Sequence, residues 1–152
     1  MKKFTFLLMF ISAAAFSAEY KSQETNFTIQ TWTMYGSTVY YNCDSVETKT
    51  KDLLKTLGAK NINVRCTGGI DVFGRFHLPA RVSTSFDALH SGAGEIQAEY
   101  KEVTFKDFDE CHLFNTVYKK VSSFFDLKDD TVRRCLRVNG RTVINAKVLS
   151  EL

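Results

Sequence analysis

The sequence predicts an α+β fold of two strand-helix-strand-strand units, each closed by its own disulfide. Three observations predict it. The stretch Cys43 to Cys66, CDSVETKTKDLLKTLGAKNINVRC, reads as cysteine, helix, strand, Arg-Cys. A similar stretch returns from Cys111 to Cys135, CHLFNTVYKKVSSFFDLKDDTVRRC. Alternating apolar and polar residues, the mark of half-buried strands, follow each one. The two units are expected over 38–88 and 95–149, within a single α+β domain that runs from 19 to 152.

The amino terminus predicts export. Met1-Lys2-Lys3 is a short basic start, and Phe4 to Phe16 is an apolar run that ends in small residues. That layout is a secretory signal peptide, expected over 1–17. A cut after Ser17 puts Ala15 and Ser17 at the small-residue positions; a cut after Ala18 would put Phe16 at one of them. The cut is therefore expected after Ser17, with Ala18 as the alternative. The run is shorter than the roughly 20 apolar residues of a spanning helix, and no other stretch is apolar enough, so no membrane span is expected.

Removing Lys2 and Lys3 leaves 18 basic residues against 17 acidic ones. A chain so balanced has no global field that favours nucleic acid or an anionic membrane. About 135 residues with 13 phenylalanines and one proline suit one packed domain rather than a disordered chain.

All four cysteines lie in the exported part, where disulfides persist. Four cysteines allow three pairings. A parallel crossover would bring Cys43 and Cys66 to one end of neighbouring strands, about 4.8 Å apart, within the Cα range that a disulfide needs. An antiparallel arrangement would leave them a strand length apart. The same reasoning pairs Cys111 with Cys135. No Cys-x-x-Cys occurs, which argues against a redox site, and no closely spaced ligand pairs suggest zinc. Cys111 and His112 are neighbours in a helix and do not face the same way, so they make a poor nucleophile pair.

Taken in order, Glu19–Thr25 reads as loose and Phe27–Tyr35 as a strand. Gly36-Ser37 is a turn, and Thr38–Asn42 a second strand. Asp44 with Glu47 resembles a capping box. Val46, Thr50, Leu53, Leu54 and Leu57 form a helical stripe, which Gly58 ends. Asn61–Cys66 alternates, with Ile62, Val64 and Cys66 inward. Thr67–Ala80 is the longest irregular stretch. Val82, Thr84, Phe86 and Ala88 mark one face of a strand, and His90–Gly94 suggests a hairpin. From Glu95 to Phe105 the inward set changes phase, which predicts a bulge or a bend. The second helix, to Phe125, carries Phe114, Tyr118, Val121 and Phe125 where the first has Val46, Thr50, Leu53 and Leu57. Asn139-Gly140 is a hairpin turn signal between strands 131–138 and 141–149.

No catalytic constellation stands out, and neither a metal nor a cofactor is expected. The best binding candidate is the loop 67–80: Gly68 and Gly69 could turn N–H groups toward an anion, with charge from Arg65, Arg75 and His77. Arg137 belongs to a basic cluster, Arg133, Arg134, Arg137 and Arg141, on the last hairpin. Against this, glycines in a crossover loop more often serve turns. The aromatic group Trp32, Tyr35, Tyr40 and Tyr41 more often forms core or cross-strand pairs than a stacking platform. Glu95 and Glu99 read as a polar outer face.

The expected function is that of a secreted or periplasmic, non-enzymatic binding protein of the cell envelope or exterior. Its partner would be a protein or a small anionic ligand, not nucleic acid. The alternatives are a small secreted hydrolase or anion-binding enzyme using loop 67–80 with His77 as acid or base, and an inhibitor presenting that loop.

Overall fold

The structure is a computed structural model that describes residues 16–34, 37–70, 77–107, 110–132 and 142–152. Its elements are β1 (Phe16–Ile29), a small hairpin of β2 (Trp32–Met34) and β3 (Ser37–Val39), and α1 (Cys43–Thr56). Then come β4 (Lys60–Ile70), β5 (His77–Ser91), β6 (Ile96–Asp107), α2 (Cys111–Val121) with a 3-10 turn (Ser122–Phe124), β7 (Leu127–Val132) and β8 (Thr142–Glu151). Six strands form one sheet in the order β4-β5-β1-β6-β8-β7, and every pairing in it is antiparallel. The α+β class is as expected; of the parallel crossover there is, among the described residues, only an isolated parallel bridge between Asn42 and Ile70 outside the sheet.

The Cys43–Cys66 bond nonetheless forms, with a Cα–Cα distance of 5.3 Å. The expected geometry treated Cys43 as a strand end, whereas it is the first residue of α1, which lies across β4. Asn42 caps the helix: its side chain accepts from Asp44 N at 2.8 Å and Ser45 N at 3.3 Å. Asp44, the expected cap, is thus already inside the first turn. Glu47 does not close a capping box; it accepts from Cys66 N at 2.8 Å and ties α1 to β4. Gly58 ends the helix as expected, with φ +82. The stripe Val46, Thr50, Leu53, Leu54 and Leu57 is buried.

Several local expectations are corrected. Glu19–Thr25 is not loose, because β1 pairs with β5 from Ala18 through Ile29. Thr38–Asn42 does not supply a strand of the main sheet: β3 pairs only with β2, and β1 fills that place. His90–Gly94 is not a hairpin. It passes over the start of β1, which lies between β5 and β6, and a Cβ on Gly94 would overlap the Ala18 carbonyl oxygen. Most of Thr67–Ala80 is strand, since β4 runs to Ile70 and β5 begins at His77. The turn Asn139-Gly140 lies outside the described residues, and β7 starts at Leu127.

The phase change in β6 has a different cause from a bulge. β6 pairs with β8 in unbroken register from Ala98 to Asp107. What changes is the covered face. Val103 and Phe105 point into the main core beneath the helices, whereas Ile96, Ala98 and Tyr100 join a second cluster on the outer face with Ala18, Tyr20, Leu89 and Leu149. That cluster sits at the seam where β1 meets β6 over Phe16–Ala18 alone. The main core spans both sides of the seam: Phe86 of β5 stacks on Phe125, centroids 5.5 Å apart.

The two sides of the seam share details. Counting only strands of the main sheet, each has the order second, third, first: β4-β5-β1 and β7-β8-β6. The described non-glycine residues with positive φ are Asn61 and Asp129, both at 52° and both in a register shift early in the second sheet strand of their half. The preceding lysines cover equivalent tyrosines: Lys60 lies over Tyr20 at 4.4 Å and Lys128 over Tyr100 at 3.9 Å.

The seam generates a test. Gly94→Ala should cost about 1–3 kcal/mol, because the backbone of Ala18 cannot give way as a side-chain tip would. Gly92→Ala, which meets only the Glu19 side chain at 3.6 Å, should change stability by less than about 0.5 kcal/mol. Urea unfolding of the two variants measures the difference.

Candidate functional site

The inner faces of β4, β5 and β1 are occupied by Val64, Val82, Thr84, Phe86 and Phe27, all buried. Side chains alternate along a strand, so the intervening residues face outward. Two cross-strand rows result. Arg65 of β4 stands opposite Ser83 of β5, which stands opposite Asn26 of β1. Thr67, Arg81 and Thr28 form the next row. These six residues are exposed and border an open concavity of about 430 Å³. Smaller concavities continue it at both ends, toward Asn63 and Glu24 on one side and toward Leu78 on the other. Together they make a shallow trough along the strands.

Two guanidinium groups dominate this trough. Among the described residues neither Arg65 nor Arg81 has an ion-pair or hydrogen-bonding partner for its side chain. Some other surface cations do: Lys60 pairs with Glu151, Lys147 with Asp129 and Lys51 with Glu47; what sets Arg65 and Arg81 apart is that they share one concavity. Glu24 is the one carboxylate bordering the trough among the described residues. The floor is otherwise uncharged: hydroxyl and amide groups that donate and accept, with Leu78 and Pro79 at one end.

The sequence candidates fall unevenly on this arrangement. Arg65 is at its centre. Gly68 and Gly69 are at its end, with φ +83 and +73. Their lack of a side chain is explained by packing. A Cβ on Gly68 would lie 2.6 Å from the Pro79 carbonyl oxygen, and one on Gly69 would overlap that of Tyr41. Ile70 N donates to Tyr41 O at 3.0 Å, so this N–H is already used. His77 pairs through its backbone with Ile70. Arg75 and Arg137 lie outside the described residues. Sequence reasoning missed Arg81. It reads there as one polar position in an alternating strand, and only the β4–β5 register sets it diagonal to Arg65.

Of the aromatic group, Tyr41 is buried and Tyr40 half-buried. A second cluster invites comparison with a hydrolase. His90 and Ser91 end β5, and Asp126 follows the 3-10 turn. Asp126 Oδ2 accepts from both Ser91 N and Ser91 Oγ at 2.7 Å, while Oδ1 lies 3.4 Å from His90 Nδ1. The serine hydroxyl therefore donates to the carboxylate, not to the imidazole, and this geometry does not activate a nucleophile. It ties β5 to the chain between α2 and β7. Burial alone would raise the Asp126 pKa; the Ser91 donors and the nearby His90 outweigh it and hold the carboxyl below its ordinary value.

Among the described residues no three His, Cys, Asp or Glu side chains gather to hold a metal, and no helix is long and apolar enough to cross a membrane. No protein-family model, curated protein or solved structure matches the chain.

The Asp126 cluster yields a pH dependence. A carboxyl whose folded pKa is depressed stabilises the fold above its unfolded value, near 3.9, and that stability is lost as pH falls through the folded value. Asp126→Ala should cost about 1–3 kcal/mol at pH 7. Urea midpoints of variant and parent should converge as pH falls below about 4.

Proposed function

We propose that the chain is an exported, non-enzymatic binding protein that holds an anionic ligand on the outer face of β4, β5 and β1. The observation that carries this reading is the pair Arg65 and Arg81, two guanidinium groups with no side-chain partner among the described residues, on an open floor that Glu24 borders at one end. Charge-assisted hydrogen bonds from arginine to carboxylate, sulfate or phosphate are among the stronger polar contacts. A face kept for solubility alone has no need of two arginines so placed. The non-enzymatic part is supported by the Ser91–Asp126 bond, which leaves the nearest thing to a triad without a base on its serine.

Export is supported by the leader pattern and the Cys43–Cys66 bond. The seam bears on where the leader ends. Ala18 is fully buried at the centre of the outer cluster and is the residue that pairs with both Ser91 and Ile96. A cut after Ser17 keeps it; a cut after Ala18 discards it.

A second disulfide, Cys111–Cys135, belongs to the same proposal. Cys111 is buried and disulfide-bonded, and Cys43 and Cys66 are bonded to each other. We also propose that the two halves arose by duplication. The shared strand order, the matching positive-φ residues Asn61 and Asp129, and the paired lysine–tyrosine contacts support it. Asp129 stands 68 positions after Asn61, as Cys111 does after Cys43. The hairpin β2–β3 is then an insertion in the first half.

The test is calorimetric titration of the mature protein with phosphate, sulfate and carboxylate-bearing anions, beside Arg65→Ala, Arg81→Ala and the double variant. At least one anion should bind, about tenfold more weakly in each single variant, with thermal midpoints unchanged. Equal binding by parent and double variant across the panel would reject the site. Mass spectrometry of exported protein should give Ala18 as the first residue; Glu19 would contradict the seam's requirement.

A further inference from the structure

Resting on that reading, we infer that the ligand is a linear acidic polysaccharide, an extended chain of sugars bearing carboxylates, laid along the trough. Shape is the first argument. Sites for small molecules enclose most of the ligand's surface. This trough is open and continuous across three adjoining concavities that share Arg65, Asn26 and Ser83 on one side and Thr67 and Arg81 on the other. From Asn63 to Thr67 it spans roughly 13 Å at about 3.3 Å per residue, and it continues toward Leu78. A single small anion would be held on one side only. An extended chain would touch the face along its length.

Charge spacing is the second argument. Arg65 faces Ser83 across the β4–β5 pair, and Arg81 is two residues from Ser83. Diagonal neighbours of this kind are about 7–8 Å apart at the backbone. Two guanidinium groups so spaced can each take a carboxylate on a different sugar. Around them Ser83, Asn26, Thr28 and Thr67 offer both donors and acceptors, the complement of a run of hydroxyls.

The third argument is what the trough lacks. Single-stranded nucleic acid is gripped by aromatic side chains on which bases stack. No aromatic side chain points outward in the described rows, because Phe27 and Phe86 are buried on the inner face. Glu24 at one end also opposes a uniformly dense polyanion more than one with spaced charges.

The experiment titrates the mature protein with galacturonate monomer, galacturonate oligomers of increasing length, neutral dextran, inorganic phosphate and an oligothymidylate. Oligomers should bind more tightly with length until the trough is filled, and dextran should not bind. Added salt should weaken binding. The double variant Arg65→Ala/Arg81→Ala should bind the long oligomer about a hundredfold more weakly, with an unchanged circular dichroism spectrum. A length-independent affinity, or tighter binding of oligothymidylate than of the oligouronate, would overturn the inference. Arginine-dependent binding of phosphate alone would overturn it too while leaving the anion site standing. Binding that ignores both arginines would remove the inference and the site together.

Discussion

The constraint on which the rest depends is the locked inner face of β4 and β5. Val64, Val82 and Phe86 are sealed in the main core. Cys66 is bonded to the first residue of α1, and Glu47 of the same helix holds the Cys66 amide. Strand side chains alternate, so a slip of one residue would exchange every inner and outer position. The disulfide and the carboxylate forbid that slip. Arg65 and Arg81 are therefore held outward by what their neighbours do inward.

The same logic organises the seam. β1 and β6 pair over Phe16–Ala18 and then diverge, and a cut after Ser17 leaves only Ala18 of these, so backbone bonds alone hold the halves weakly. Two apolar groups hold them instead. Below the sheet, the shared core brings Phe86 against Phe124 and Phe125. Above it, Ala18, Leu89, Ala98 and Leu149 close a small cluster beneath Tyr20 and Tyr100. Lys60 bridges the seam to Glu151 and covers the Tyr20 ring. The ion pair raises the lysine pKa and lowers that of the carboxyl. Both groups are exposed, and the contact orients side chains more than it stabilises the fold.

Much of this was legible in the residues. The helical stripe, Gly58 as a stop and the alternation from Val82 to Ala88 come from local periodicity; the Cys43–Cys66 pair forms, but not by the strand crossover from which the sequence argues it. Long-range facts were not legible. β1 carries no clean alternation over Lys21–Thr25, because neither face is fully buried there, so it read as loose. The Ile96–Phe105 phase change read as a bulge because a sheet covered on both faces at one end looks the same in sequence. The antiparallel sheet was missed because a helix crossing β4 can place its first residue beside the middle of that strand. Of the candidate site, Arg65 was legible as a charge next to a cysteine. Arg81 needed the long-range β4–β5 register, unbroken from Asn63 to Thr67, which no local pattern in either strand announces.

The most direct measurement follows the arginines themselves. Two-dimensional NMR of protein with labelled arginine resolves the Nε–Hε groups of Arg65 and Arg81. On addition of an oligouronate these two signals should shift together, along with the Asn26 side-chain amide and the Ser83 backbone amide. Signals from α1 and α2 should stay in place. Shifts confined to the helical face, or unmoved Arg65 and Arg81 signals in the presence of a bound ligand, would contradict the placement of the site.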